Sequence, residues 1–139
     1  MTVYVDTSIV LSKLLNQPTA IQDWGLWESA YASAIARIEF FRTIDRLRLD
    51  NSISDEERVA LHRQFRVFWE AVHRIPLSDL ILERAAQPFP TVLGTLDAIH
   101  LASAIAVLPP QASSAALFLT HDIQLARAAE SMGYQISGI

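Results

Sequence analysis

Four acids stand in settings that a merely solvent-facing carboxylate does not need: Asp6, Glu39, Asp97 and Asp122. Asp6 ends the run Val3-Tyr4-Val5, whose β-branched and aromatic residues read as a strand, and two hydroxyl residues, Thr7 and Ser8, follow it. Asp122 repeats that arrangement, since the apolar run Ala116-Leu117-Phe118-Leu119 ends in Thr120-His121-Asp122 where a helix opens. Asp97 lies in the first turns of an otherwise greasy helix, and Glu39 sits between Ile38 and Phe40-Phe41. Each has a plainer explanation. Asp6, Thr7 or Ser8 can simply cap a helix, the amino end of a helix can steady Asp97, and Glu39 can pair with Arg42 or Arg37 at helical spacing.

A common explanation is chemical. Carboxylates gathered at one site repel, so they must protonate or hold cations. The chain has no cysteine, which leaves oxygen and imidazole as ligands and makes Mg²⁺ or Mn²⁺ the expected ion. Such ions polarise a phosphodiester, lower the pKa of an attacking water and steady the leaving oxygen. Thr7, Ser8 and Thr120 would then be hydroxyls that orient an acid or a metal-bound water.

Positioning these groups requires strands alternating with helices. Helical patterns run from about Ser8 to Asn16, through a second helix holding Ile21, Trp24 and Trp27, and, after the small strand Ala30 to Ser33, along Ser33 to Asp50. Ser54 to Glu57 has capping-box spacing and opens a helix to about His73, expected to lie antiparallel to its predecessor. Arg74 to Leu77 reads as an edge strand carrying a proline, Ser78-Asp79 caps a helix to Ala85, and Pro88 and Pro90 enforce a loop up to Gly94. A buried helix spans Thr95 to about Leu108, the strand ending at Leu119 leads to a helix from Ile123 to Met132, and Tyr134 to Ile136 is the last strand. The expected fold is α/β, a three-layer α/β/α sandwich with a central, mostly parallel sheet. In such a sheet ligands bind beyond the carboxyl ends of the strands, where Asp6 and Asp122 fall.

Composition sets limits. The 139 residues, 51% of them hydrophobic, suit a single domain over 1–139. Neither a signal peptide nor a membrane span is read, and the cytoplasm is the expected compartment. A net charge of -4 argues against coating nucleic acid by bulk electrostatics but permits an enzyme that meets phosphate through bound cations.

Val5-Asp6-Thr7-Ser8, Glu39 within Ala36 to Arg42, Leu96-Asp97-Ala98-Ile99-His100-Leu101-Ala102 and Leu119-Thr120-His121-Asp122 together resemble the four acidic motifs of PIN domains, and their length and order are most similar to the VapC-type toxins of toxin–antitoxin pairs. The resemblance covers nearly the whole chain. It implies a Mg²⁺- or Mn²⁺-dependent endoribonuclease that cuts single-stranded or loop RNA by water attack, leaving a 5′ phosphate and a 3′ hydroxyl. Asp6, Glu39, Asp97 and Asp122 would take the family's acidic roles and hold the metal, with Thr120 matching the hydroxyl often found two residues before the fourth acid. A cognate antitoxin and a homodimer are the implied protein partners.

His100 lies one helical turn after Asp97 and is expected to be a satisfied buried histidine rather than a ligand; His121 is left without a role. Eight of the ten arginines fall between Arg37 and Arg74 with acids interleaved, so most read as ion-paired surface, and Arg37 and Arg42 are the choice for phosphate contacts. Trp24 and Trp27, with Phe65, Phe68 and Trp69, fit core packing, a groove for an antitoxin segment or a dimer contact. The competing classes are a phosphotransferase or receiver-like module, which Ser8 and the solitary Lys13 disfavour, and a non-catalytic PIN-like scaffold that binds RNA or protein.

Overall fold

Val3 and Val5 point to one side of a sheet and Tyr4 to the other, and this alternation fixes the layers of the molecule. The computed structural model describes residues 1–111 and 116–139. Its elements in chain order are β1 (Thr2–Val5), α1 (Thr7–Leu14), β2 (Ser29–Ser33), α2 (Ile35–Leu49), α3 (Asp55–Ala71), β3 (His73–Ile75), α4 (Asp79–Ala85), α5 (Thr95–Val107), β4 (Leu117–Leu119), α6 (Ile123–Ser131) and β5 (Gln135–Ser137).

Among the described residues five strands form one sheet in the order β3-β2-β1-β4-β5, every neighbouring pair parallel. Val3 and Val5 pack with Ile9 and Val10 of α1, Phe40 and Ile44 of α2, and Leu61 and Phe65 of α3. Tyr4 packs on the opposite face with Ile81 of α4, Leu101 of α5, and Phe118 and Leu125. Each large side chain buried this way contributes about 1.5–3 kcal/mol. The expected α/β/α layering is what the chain adopts.

The α2–α3 pair forms through its aromatic seam, with Phe40 stacked on Phe65 at 4.4 Å and Phe41 edge-on to the same ring at 5.0 Å. The capping box at its entrance is present, since Ser54 Oγ accepts from the Glu57 N–H and Glu57 Oε1 accepts from the Ser54 N–H, both at 3.1 Å.

One expectation fails and one boundary shifts. Residues 17–28 form turns, not a helix around Ile21, Trp24 and Trp27. The Leu26 N–H bonds back to the Asp23 carbonyl at 3.1 Å and Gly25 has φ +82°, a tight turn that needs glycine at its third position and breaks the helical period. The helix expected to reach His73 stops at Ala71, because Val72 is already extended and His73 pairs with Tyr31 as the first residue of β3.

The sheet places β2 and β3 on one side of β1, and β4 and β5 on the other. The order therefore reverses between β1 and β4, and the crevice at a switch point of this kind opens beyond the carboxyl ends of those two strands. Val5 pairs with Leu119, so Asp6 and Thr120 leave the sheet side by side.

Candidate functional site

Asp6 is 5% exposed and stands at the N-cap position of α1, yet its side chain makes no capping bond. Its Oδ2 instead accepts from Ser8 Oγ at 2.6 Å and Thr120 Oγ1 at 2.8 Å. The capping explanation for Asp6 fails, and two of the three expected hydroxyls orient this one carboxylate.

Glu39 reaches the same region from α2. Its Oε1 accepts from Thr7 Oγ1 at 2.7 Å and from His100 Nε2 at 2.6 Å. Among the described residues it has no arginine partner: Arg42 is held by Asp45, and the Arg37 guanidinium lies 5.3 Å over the Phe41 ring. Neither arginine chosen for phosphate contact bonds to one of the four acids.

Asp97 enters from the first turn of α5 and is half-buried. Its pKa is raised to about 6, first by burial, then by the charges of Asp122 and Asp6 and, more weakly, Glu39, with His100 opposing. Among the described residues, no hydrogen bond to Asp97 offsets these effects. The four acids thus share one electrostatic neighbourhood, with Asp97 its least comfortable member. Asp122 has a second task, since its Oδ1 caps α6 by accepting from the Leu125 N–H at 2.9 Å, while its own N–H donates to Thr120 Oγ1 at 3.0 Å.

Among the described residues, no three His, Asp or Glu side chains already form a group able to hold a metal ion. Hydroxyl and imidazole groups instead engage one oxygen of each of two acids, Asp6 Oδ2 and Glu39 Oε1. The donor chemistry nevertheless fits a hard cation, because the remaining ligands are carboxylate oxygens and Asp97 lacks a neutralising partner.

Sequence reasoning placed His100 as buried and satisfied, which it is, at 0% exposure, but missed what it joins. Its Nδ1 lies 2.7 Å from the Tyr4 hydroxyl, and its Nε2 faces Glu39 Oε1 and, at 3.3 Å, Asp6 Oδ1. Burial alone would lower its pKa; the Glu39 hydrogen bond and the charges of Asp6, Glu39 and Asp97 outweigh this and raise it. Only the one-turn spacing from Asp97 hinted at this. His121 turns away from the acids, its Nε2 on Ser12 Oγ at 2.8 Å and its Nδ1 on the Gly138 carbonyl at 2.5 Å.

The aromatic residues divide. Phe65 and Phe68 are core, with Trp69 stacked on Phe65 at 5.5 Å, and Trp24 and Trp27 pack against that cluster while lining, with Phe68, Leu14, Val67 and Val72, an open apolar groove.

The chain is 27% identical over 139 residues to Ribonuclease VapC47 of Mycobacterium tuberculosis (strain CDC 1551 / Oshkosh), covering 95% of this chain and 93% of that protein. Its fold matches a chain in the crystal structure of VapBC2 from Rickettsia felis bound to a DNA fragment from their promoter, with TM-score 0.63 and 14% identity over 99% of this chain and 98% of that one. It also matches a chain of FitAcB from Neisseria gonorrhoeae, with TM-score 0.63 and 17% identity over 98% and 96% of the two chains. The family model of the PIN domain matches residues 3–131, and the chain belongs to the PIN-domain family.

Proposed function

We propose that this protein is a metal-dependent endoribonuclease that cuts single-stranded or loop RNA by water attack on the phosphodiester, and that it is the toxin of a toxin–antitoxin pair. The observation that carries the reading is Asp97: a half-buried carboxylate, with no salt bridge among the described residues, pressed by three other acids at a strand-end crevice. Near full-length likeness to a protein named as a ribonuclease supports it.

Asp6 and Asp97 are the proposed principal ligands of Mg²⁺ or Mn²⁺, with Glu39 and Asp122 completing the acidic set. The bound ion would supply positive charge to a phosphate oxygen and make a water more acidic. Ser8 and Thr120 occupy Asp6 Oδ2, while Oδ1 faces His100 Nε2 at 3.3 Å. Thr7 and His100 likewise occupy Glu39 Oε1 and leave Oε2. Asp97, its pKa raised to about 6 by burial and the neighbouring acids, adds its own negative charge to the metal-free site above about that pH. Arg37 stands without a salt-bridge partner among the described residues and remains the proposed phosphate contact; Arg42 would have to leave Asp45 to act. The groove at Trp24, Trp27 and Phe68 is the proposed seat of an antitoxin segment.

The second reading is a PIN-like scaffold that binds RNA or protein without cutting. A labelled RNA separates the two. Cleavage that requires Mg²⁺ or Mn²⁺ and is lost in Asp6→Asn and Asp97→Asn, both still folded by circular dichroism, is expected; binding without cleavage in any divalent metal would establish the scaffold.

A further inference from the structure

Tyr4 and His100 are both fully buried, 96 residues apart in sequence, and joined at 2.7 Å between hydroxyl and Nδ1. A buried hydroxyl proton needs an acceptor, and Nδ1 is the side-chain nitrogen placed to be one. Whether Nδ1 accepts from the Tyr4 hydroxyl or, in the imidazolium, donates to it, a ring proton sits on Nε2. That atom lies 2.6 Å from Glu39 Oε1 and 3.3 Å from Asp6 Oδ1, so one N–H is shared by two carboxylates that belong to different elements and would otherwise repel. Tyr4 itself cannot turn away, being stacked on Phe118 at 4.8 Å between centroids.

We propose that Tyr4 and His100 are positioning residues: Tyr4 sets the orientation of the His100 ring, and His100 Nε2–H clasps Glu39 and Asp6 together before a cation arrives. The role rests on the endoribonuclease reading above. A divalent ion then meets carboxylates already gathered, and the cost of gathering them is not taken from its binding energy. Tyr4 acts through His100 and touches neither acid by a hydrogen bond, which separates this arrangement from ordinary packing around the site.

The test uses metal-free full-length protein, Mn²⁺ calorimetry, ring-nitrogen NMR and RNA cleavage. In the wild type, Nε2 should carry a proton and Nδ1 should show a hydrogen bond to a hydroxyl. His100→Leu should weaken Mn²⁺ binding tenfold or more and lower kcat, with KM for RNA little changed. His100→Gln, whose amide nitrogen can donate where Nε2 does, should recover most of both. Tyr4→Phe removes one hydroxyl and should fold even if His100→Leu does not; it should weaken Mn²⁺ binding at least threefold. An unprotonated Nε2, or wild-type Mn²⁺ affinity in Tyr4→Phe and in every folded His100 variant, would overturn the positioning role while leaving the nuclease reading intact. A wild type that neither binds Mn²⁺ nor cuts RNA would overturn both.

Discussion

Thr120 Oγ1 donates to Asp6 Oδ2 at 2.8 Å, across the junction of β1 and β4 where the strand order of the sheet reverses. The same hydroxyl accepts the Asp122 N–H at 3.0 Å, so one buried side chain ties the first acid to the last. Removing it takes one of two donors from Asp6 Oδ2, where Ser8 Oγ remains, and leaves the Asp122 N–H without this acceptor. Thr120→Val should lower stability by about 1–3 kcal/mol and cleavage by roughly ten- to hundredfold, whereas Thr120→Ser should retain most of both. Thermal melts and single-turnover cleavage on the same preparations check this, and a Val variant as active as Ser would deny the hydroxyl its role.

Asp97 gives the site its pH dependence. Its folded pKa of about 6 lies above the ordinary carboxylate value of 3.8, so the native state binds its proton more tightly than the unfolded chain does. Metal-free stability from this group is therefore greatest at low pH and falls as pH rises from about 4 through about 6. Asp97→Asn should raise the melting temperature of the metal-free protein at pH 7.5, by about 1 kcal/mol equivalent once the solvent-screened half of the side chain is discounted. Cleavage should move the other way, declining as pH drops and a proton on Asp97 competes with the metal. Melts with and without EDTA, and a pH–rate profile, would show both trends.

Asp122 carries two loads that substitution can separate. Asn keeps the bond to the Leu125 N–H but drops the charge, and Ala loses both. Asp122→Asn should melt within a degree or two of wild type yet cleave more slowly, while Asp122→Ala should lose about 1 kcal/mol of stability in addition. Equal cleavage by wild type and Asn would reduce Asp122 to a cap.

Legibility in the sequence followed the range of the interaction. The alternation of Val3-Tyr4-Val5, the capping box at Ser54 and the apolar helix around Asp97 are local patterns, and they fixed the layers and the approach of the acids. The turn at Asp23 to Leu26 was hidden because Ile21, Trp24 and Trp27 imitate a helical period, although Gly25 at φ +82° rules it out in three dimensions. The Tyr4–His100–Glu39 chain was also beyond reach, since it joins β1, α5 and α2 and no spacing along the chain encodes it. Asp6 could be settled as something other than a cap only by seeing where Oδ2 points.

Mn²⁺ titrated into isotope-labelled protein tests most directly whether the four acids serve one cation. Paramagnetic broadening should appear at low Mn²⁺ and centre jointly on the amides at Asp6, Glu39, Asp97 and Asp122, and Mg²⁺ should compete it away. Broadening scattered over the surface acids, or confined to one of the four, would contradict a shared metal site.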